Sequence, residues 1–362
     1  MASTRLSPGP IEPMLARIAE ALPEQDDFLF EPKWDGFRAI VLRSWHEVVI
    51  QSRDGKPLDR YFPELHAVFL ERLPAGCVLD GEIVVARPEG LDFDALQQRV
   101  HPAASRVARL AHETPASFVA FDLLTLEGRD LTTCPQSKRR LLLEALLATA
   151  EPPIHLTPMT IDRALALRWL HDFEGAGLDG VIAKPMDQPY LPGKRAMLKV
   201  KHVRTADCVV AGFRWHKSGH DAVGSLLLGL YDPNDVLHHV GVTSSFDMPA
   251  RKALARELEA LRDRALEGHP WAGWQQAAGD AQRMPGARSR WSAGKNLSWE
   301  PLRIERVCEV RYDHLQGDRF RHATVFLRWR FDKPPRACRY DQLASTPPYE
   351  LARVFSARFA DR

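Results

Sequence analysis

The sequence predicts an α+β protein in two parts, and three observations carry that prediction. The chain has 362 residues, enough for two domains that each bury a core. Residues 28–202 interleave strand-like and helix-like runs. After about Thr205, strands follow one another across turn residues, with one helix among them. These patterns give a first domain of antiparallel sheets and helices over 1–203 and an all-β barrel over 204–362.

The elements follow in order. FLFEPKWDGFRAIVLR, from Phe28, reads as two strands joined by a loop carrying Lys33-Trp34-Asp35-Gly36, and EVVIQSR continues the sheet. CVLDGEIVVA and ASFVAFDLLTL are short apolar runs rich in Val and aromatics, hence buried strands. SKRRLLLEALLATA has helical periodicity, with Ser137 as its N-cap. DGVIAKP and RAMLKVKHV are strands again. In the second part, CVVAGFRWH, SLLLGLYD and VLHHVGVTSSF are three strands. PARKALARELEALRDRAL is a helix with Asp247 before it and Pro249 in its first turn, and VCEVRYDH and ATVFLRWRF complete a set of five strands. Five strands with a helix between the third and fourth suggest a barrel of the OB type, a fold that commonly binds nucleic acid. His202 to Asp207 reads as the hinge, and Glu267 to Ala293 as a long loop.

Composition excludes several classes. Hydrophobic residues make up 45% and charged residues 27%, as in a globular protein. No apolar run approaches the roughly 20 residues needed to span a bilayer, and the N-terminus lacks the apolar core of a signal peptide. The five cysteines are scattered without a C-x-x-C pair, against both a zinc site and a disulfide framework. The expected setting is the cytoplasm. Net charge is only +2, but Arg283 to Tyr340 holds 14 Lys/Arg against 6 Asp/Glu. That asymmetry suits a nucleic-acid face or a solvated basic surface.

Chemistry concentrates at Lys33-Trp34-Asp35-Gly36-Phe37-Arg38, where an amine stands beside a carboxylate and an arginine. Alone the pattern is weak. It is followed in order by Ser52-Arg53-Asp54-Gly55, Leu79-Asp80-Gly81-Glu82-Ile83, Phe118-Val119-Ala120-Phe121-Asp122, Asp179-Gly180-Val181-Ile182-Ala183-Lys184, Leu198-Lys199-Val200-Lys201 and Arg330-Phe331-Asp332-Lys333-Pro334. A lysine nucleophile gives covalent catalysis through an amine. Only about one free lysine in 2,500 is neutral at pH 7, so nearby cations must help. Lys199 and Lys201, two apart on a strand, share a face and can supply that charge.

This series resembles motifs I, Ia, III, IIIa, IV, V and VI of the covalent nucleotidyltransferases. Within them it is most similar to the ATP-dependent DNA ligases, of the small bacterial LigC type by its Tyr312-Asp313-His314 and Gly317-to-His322 stretches. The resemblance spans Pro10 to about Leu343. It implies an adenylation (nucleotidyltransferase) domain followed by an OB-fold domain, ATP and Mg²⁺ (or Mn²⁺) as cofactors, and a nick in duplex DNA as substrate. Lys33 becomes the AMP-bearing nucleophile. Glu31, Arg38, Arg53, Glu82, Phe121, Lys199 and Lys201 hold ATP or AMP. Glu31 reads the adenine amino group, and Phe121 stacks on the base. Glu82 and Asp179 serve the metal, although relatives often have Glu where this chain has Asp179. Arg330, Asp332 and Lys333 orient pyrophosphate, and Arg53, Arg319 and Arg321 touch DNA. Lys184 is a weaker candidate, Asp122 is structural, Trp34 and Phe37 pack, and His314 and His322 serve fold or DNA backbone. Because motif VI belongs to the second domain, the barrel must occupy one position for adenylation and another for DNA.

The resemblance further implies a nucleoid-associated monomer in DNA repair, with Ku or a repair primase-polymerase as partner and no membrane. Two alternatives remain open: an RNA ligase or capping-type guanylyltransferase, and a non-catalytic DNA-binding protein. Intact Lys33, Glu82, Lys199 and Lys201 argue against the second.

Overall fold

The computed structural model describes residues 10–88, 90–201, 204–275, 298–313, 315–343 and 351–356. His202, Val203 and His314 lie outside the described residues, as does the expected long loop from residue 276 onward. The chain divides into two compact units, Met1–His202 with Thr346–Arg362, and Val203–Ser345.

The first unit contains two large sheets, besides a two-stranded ribbon of Ala86–Arg87 and Gly90–Leu91. One has four strands, in the order Leu15–Ile18, Arg195–Val200, Val181–Pro185 and Phe28–Pro32. The other runs Ile154–Leu156, Ser117–Leu126, Cys77–Val84, Phe37–Arg43 and Val48–Ser52. Cys77–Val84 is central, and seven of its eight residues are buried, as a strand covered on both faces requires. Helices Pro63–Arg72 and Gln136–Leu146 contribute to its core, where Phe69 meets Phe118 edge-to-face at 5.1 Å. Burying each such ring contributes roughly 1.5–3 kcal/mol.

Three expectations need correction here. The sheets are not wholly antiparallel: Leu15–Ile18 pairs in parallel with Arg195–Val200, and Ile154–Leu156 with Ser117–Leu126. Ser137 is not the N-cap; Pro135 occupies that position without a side-chain bond, and Ser137 lies inside the helix. The C-terminal segment does not belong with the barrel. Helix Leu351–Ser356 contributes Leu351 and Val354 to the core of the first unit, and Phe355 stacks on both Trp34 and His155.

The second unit is a barrel with five strands along its main path and the short strand Glu300–Pro301 paired beside Arg204–His216. Its strands run in the order Leu237–Thr243, Gly219–Tyr231, Arg204–His216, Val307–Tyr312 and Val325–Trp329. The two outer strands meet where Thr324 N–H donates to Val242 O at 2.8 Å and Thr243 Oγ1 to Thr324 O at 2.9 Å. Helix Met248–Leu258 lies in the chain between strands Leu237–Thr243 and Val307–Tyr312, and the Asp247 carboxylate caps it by accepting from Ala250 N–H at 2.8 Å. This is the OB arrangement. Residues 204–207, expected in a hinge, instead begin the first barrel strand, because Arg204 to Asp207 pair in register with Tyr312 to Glu309.

Candidate active site

Lys33 sits where the chain crosses from one sheet of the first unit to the other. Strand Phe28–Pro32 ends before it, and strand Phe37–Arg43 begins after Gly36. Its backbone is fixed on both sides: Lys33 N–H donates to Gly180 O, and Asp179 N–H donates to Lys33 O, each at 2.8 Å. Gly180 makes this possible. Its φ is +137°, and a Cβ there would collide with the Val200 carbonyl.

A cavity of about 220 Å³ opens beside Lys33, walled by both sheets. Strand pairing explains which side chains line it. In the four-stranded sheet, Ile182 is in register with both Glu31 and Lys199, forming one cross-strand row. Lys184 and Met197 lie two residues along on the same face. In the other sheet, Arg38 and Glu82 are register partners. Phe121 is the extra residue between the pairs Asp80–Asp122 and Gly81–Ala120, so a bulge aims its ring into the cavity. Glu31, Lys33, Arg38, Arg53, Glu82, Phe121 and Lys199 therefore line one space, as does Arg195, which the sequence reading does not single out.

Lys201 does not line it. Strand pairing stops at Val200, and Lys201 Nζ instead pairs with the Asp179 carboxylate at 2.9 Å. The same carboxylate oxygen pairs with Lys33 Nζ. Asp179, expected at a metal, is thus engaged by two lysines. Its short side chain reaches Lys33 because the two backbones are directly bonded. Lys199 has its pKa lowered, first by burial and then by Lys33 and Lys201. Glu82 is pushed up to about 7 by burial, against the pull of Arg38 and Lys33, with Asp35 and Asp80 adding to the rise.

Several supporting residues escape the sequence reading. Glu31 is 2% exposed. One carboxylate oxygen accepts from Arg140 Nη1 at 3.2 Å, and the other pairs with Lys184 Nζ at 2.7 Å. Arg140 also donates to Thr157 O at 2.8 Å, and Trp34 Nε1 donates to Thr157 Oγ1 at 2.9 Å. The residues on either side of the Pro32-Lys33 step are thereby tied to one anchor. Trp34 is buried, and Phe37 packs on Phe62 and Phe93. Arg38 donates through Nε and Nη2 to fully buried Asp80, at 2.5 and 2.6 Å, and Tyr190 OH donates to the same carboxylate at 2.7 Å. Burial disfavours the guanidinium charge, yet Asp80 more than offsets this and raises the Arg38 pKa. Asp122, expected to be structural, forms a buried pair with Arg139.

The motif VI residues belong to the second unit. Arg330 Nη1 donates to both oxygens of Asp207, at 3.0 and 2.9 Å, and its Nε and Nη2 donate to Asp332. Lys333 Nζ donates to Asp207 at 2.9 Å. Asp332 is held down to about 2 by its bond to Arg330. Arg319 Nη2 approaches His239 Nδ1 at 2.6 Å, half-buried Arg321 follows on the same segment, and His322 pairs with Asp313 at 3.0 Å.

Among the described residues no group of three His, Cys, Asp or Glu side chains is poised for a metal, and no helix is long and apolar enough to cross a membrane.

Residues 13–201 match the family described as ATP dependent DNA ligase domain, and residues 219–333 that described as ATP dependent DNA ligase C terminal region. The chain is 56% identical over 340 residues to DNA ligase C2 of Mycolicibacterium smegmatis, covering 93% of this chain and 95% of that one. It is 54% identical over 338 residues to DNA ligase C of Mycobacterium tuberculosis, covering 92% and 94%. In three dimensions it resembles a Lig E DNA ligase (TM-score 0.53, 17% identity, covering 88% of this chain and 99% of that one).

Proposed function

Since the chain belongs to the ATP-dependent DNA ligase family, we propose that Lys33 is the residue that carries AMP and that its cavity is the nucleotide site. The observation that carries this reading is the cross-strand row of Glu31, Ile182 and Lys199 facing Arg38, Glu82 and Phe121 around one lysine.

In this reading Lys33 Nζ attacks the α-phosphorus of ATP, a P–N bond forms, and the bond to pyrophosphate breaks. The Asp179 carboxylate, already on Lys33 Nζ, takes the departing proton. Lys199, on the cavity wall, brings positive charge beside the phosphate, where such charge acts in a partly desolvated site, and Lys201 acts next to Lys33 through their shared partner Asp179. Glu31 accepts from the adenine amino group, Phe121 stacks on the base, and Arg38 and Arg53 hold ribose and nick phosphate. AMP then passes to the 5′-phosphate of the nick, and attack by the 3′-hydroxyl seals it.

Glu82, whose side chain lines the cavity, would help to hold Mg²⁺, which binds through one or two carboxylates together with substrate phosphates. When bound there it would offset the charge on the leaving pyrophosphate. We place the enzyme on the nucleoid as a repair monomer, with Ku or a repair primase-polymerase as the partner to test.

The test is incubation with α-labelled ATP and magnesium, then denaturing electrophoresis. The labelled bond should be acid-labile and alkali-stable, as expected for a phosphoramidate. Label retained by Lys33→Ala would overturn the assignment.

A further inference from the structure

The sequence places Asp207 in a linker, yet this residue organises motif VI. It stands on the first barrel strand, in register with Glu309. Both of its backbone groups are clamped by one side chain: Asp207 N–H donates to Gln342 Oε1 at 2.8 Å, and Gln342 Nε2 donates to Asp207 O at 3.0 Å. Its carboxylate is 12% exposed and accepts from Arg330 Nη1 through both oxygens and from Lys333 Nζ through one.

Counting donors divides the labour within the cluster. A guanidinium has five N–H groups. All three of its nitrogens are engaged in Arg330, Nη1 by both oxygens of Asp207 and Nε and Nη2 by Asp332. The Lys333 ammonium directs one of its three N–H groups toward Asp207 and keeps two. Lys333 is therefore the cation best able to take phosphate oxygens, and Arg330 is a crosspiece between two carboxylates. A lysine on four rotatable bonds needs something to hold its head in place. Asp207 does this from a backbone whose N–H and C=O are both bonded to Gln342.

We infer that Asp207 is a positioning residue for adenylation, acting through Lys333 and, by way of Arg330, on Asp332. This rests on the reading that motif VI assists expulsion of pyrophosphate. It confines Asp207 to the first chemical step, since sealing an already adenylated nick releases no pyrophosphate.

The experiment uses the full chain and two assays: labelling of Lys33 from ATP, and sealing of a pre-adenylated nick without ATP. Asp207→Asn should slow labelling by on the order of a hundredfold, the effect of a misplacement of about 1 Å, and leave sealing unchanged. Asp207→Glu keeps the charge and shifts it by one methylene; it should give an intermediate labelling rate, and it is the variant to read if Asp207→Asn does not fold. In a Lys333→Met background, Asp207→Asn should add little further loss. Asp207→Asn labelling at the wild-type rate while Lys333→Met is slow would overturn this inference alone. Equal loss in both assays, or fully additive losses with Lys333→Met, would assign Asp207 to the fold and overturn it too. Lys333→Met labelling at the wild-type rate would overturn the reading of motif VI, and this inference with it.

Discussion

The Arg38–Asp80 pair offers a stringent test of how the cavity is built. Asp80 is fully buried, and its carboxylate receives Arg38 Nε, Arg38 Nη2 and Tyr190 OH. Asp80→Asn keeps the shape and removes the charge, leaving a largely desolvated guanidinium without its counter-ion. Removing one partner of a fully buried pair costs about 3–5 kcal/mol. The Arg38 side chain is 20% exposed, which moves the expectation to the lower end, about 3 kcal/mol. For a unit of this size that corresponds to a fall in Tm of roughly 6–12 °C. Arg38→Met should be at least as damaging, because it strands Asp80 in the interior, and the double variant should be more stable than Arg38→Met alone. Thermal unfolding followed by circular dichroism reads the stability. The KM for ATP in Lys33 labelling, expected to rise in Asp80→Asn, reads the position of Arg38. A Tm within about 2 °C of wild type, together with an unchanged KM, would refute the argument that this pair holds Arg38 in the cavity.

Three further outcomes follow from the site. Asp179→Asn should slow labelling of Lys33, since the amide is a poor proton acceptor, whereas Asp179→Glu should retain activity; an unaffected Asp179→Asn enzyme would make that contact incidental. Glu82, pushed up to about 7, binds its proton more tightly in the folded protein than in the unfolded chain. Its contribution to stability is therefore fully present below the ordinary glutamate range and is lost as pH rises toward 7. The unliganded protein should show a Tm–pH slope over this interval that Glu82→Gln flattens, with magnesium affinity rising through the same interval in wild type; identical slopes in both proteins would contradict this. Replacing Arg319 and Arg321 with Gln should lower the dependence of DNA affinity on salt, by about 0.9 log unit per log unit for each phosphate no longer neutralised, and an unchanged salt slope would remove those residues from the DNA face.

The sequence made the site legible wherever a motif coincided with a strand. Alternation alone places Arg195, Met197 and Lys199 on one face, and the apolar runs around Asp80 and Phe121 announce buried strands before any pairing is known. The OB barrel was legible for the same reason: its five runs are separated by turn residues, and Asp247 marks its helix. What could not be read were partnerships over long separations. Arg140 reaches Glu31 across 109 positions and Arg330 reaches Asp207 across 123. No periodicity reports such a bond. Strand Leu15–Ile18 was equally hidden, because its parallel partner at Arg195–Val200 is supplied from the far end of the unit. The bulge at Phe121 left no mark either, being a property of two registers rather than of one segment.

The return of the C-terminal segment to the first unit makes the barrel an insertion rather than an appendage. Gln342 stitches the end of the barrel to Asp207 near its beginning, so the inserted module enters and leaves at neighbouring points. This bears on how the enzyme can be cut. A fragment ending at residue 203 lacks Phe355, uncovers the rings of Trp34 and His155, and loses two core residues with it. Poor labelling by such a fragment would then be credited to the missing barrel when part of it comes from a missing helix. Replacing residues 203–345 by a short flexible bridge keeps that helix covalently attached, and is the excision that isolates what the barrel itself contributes.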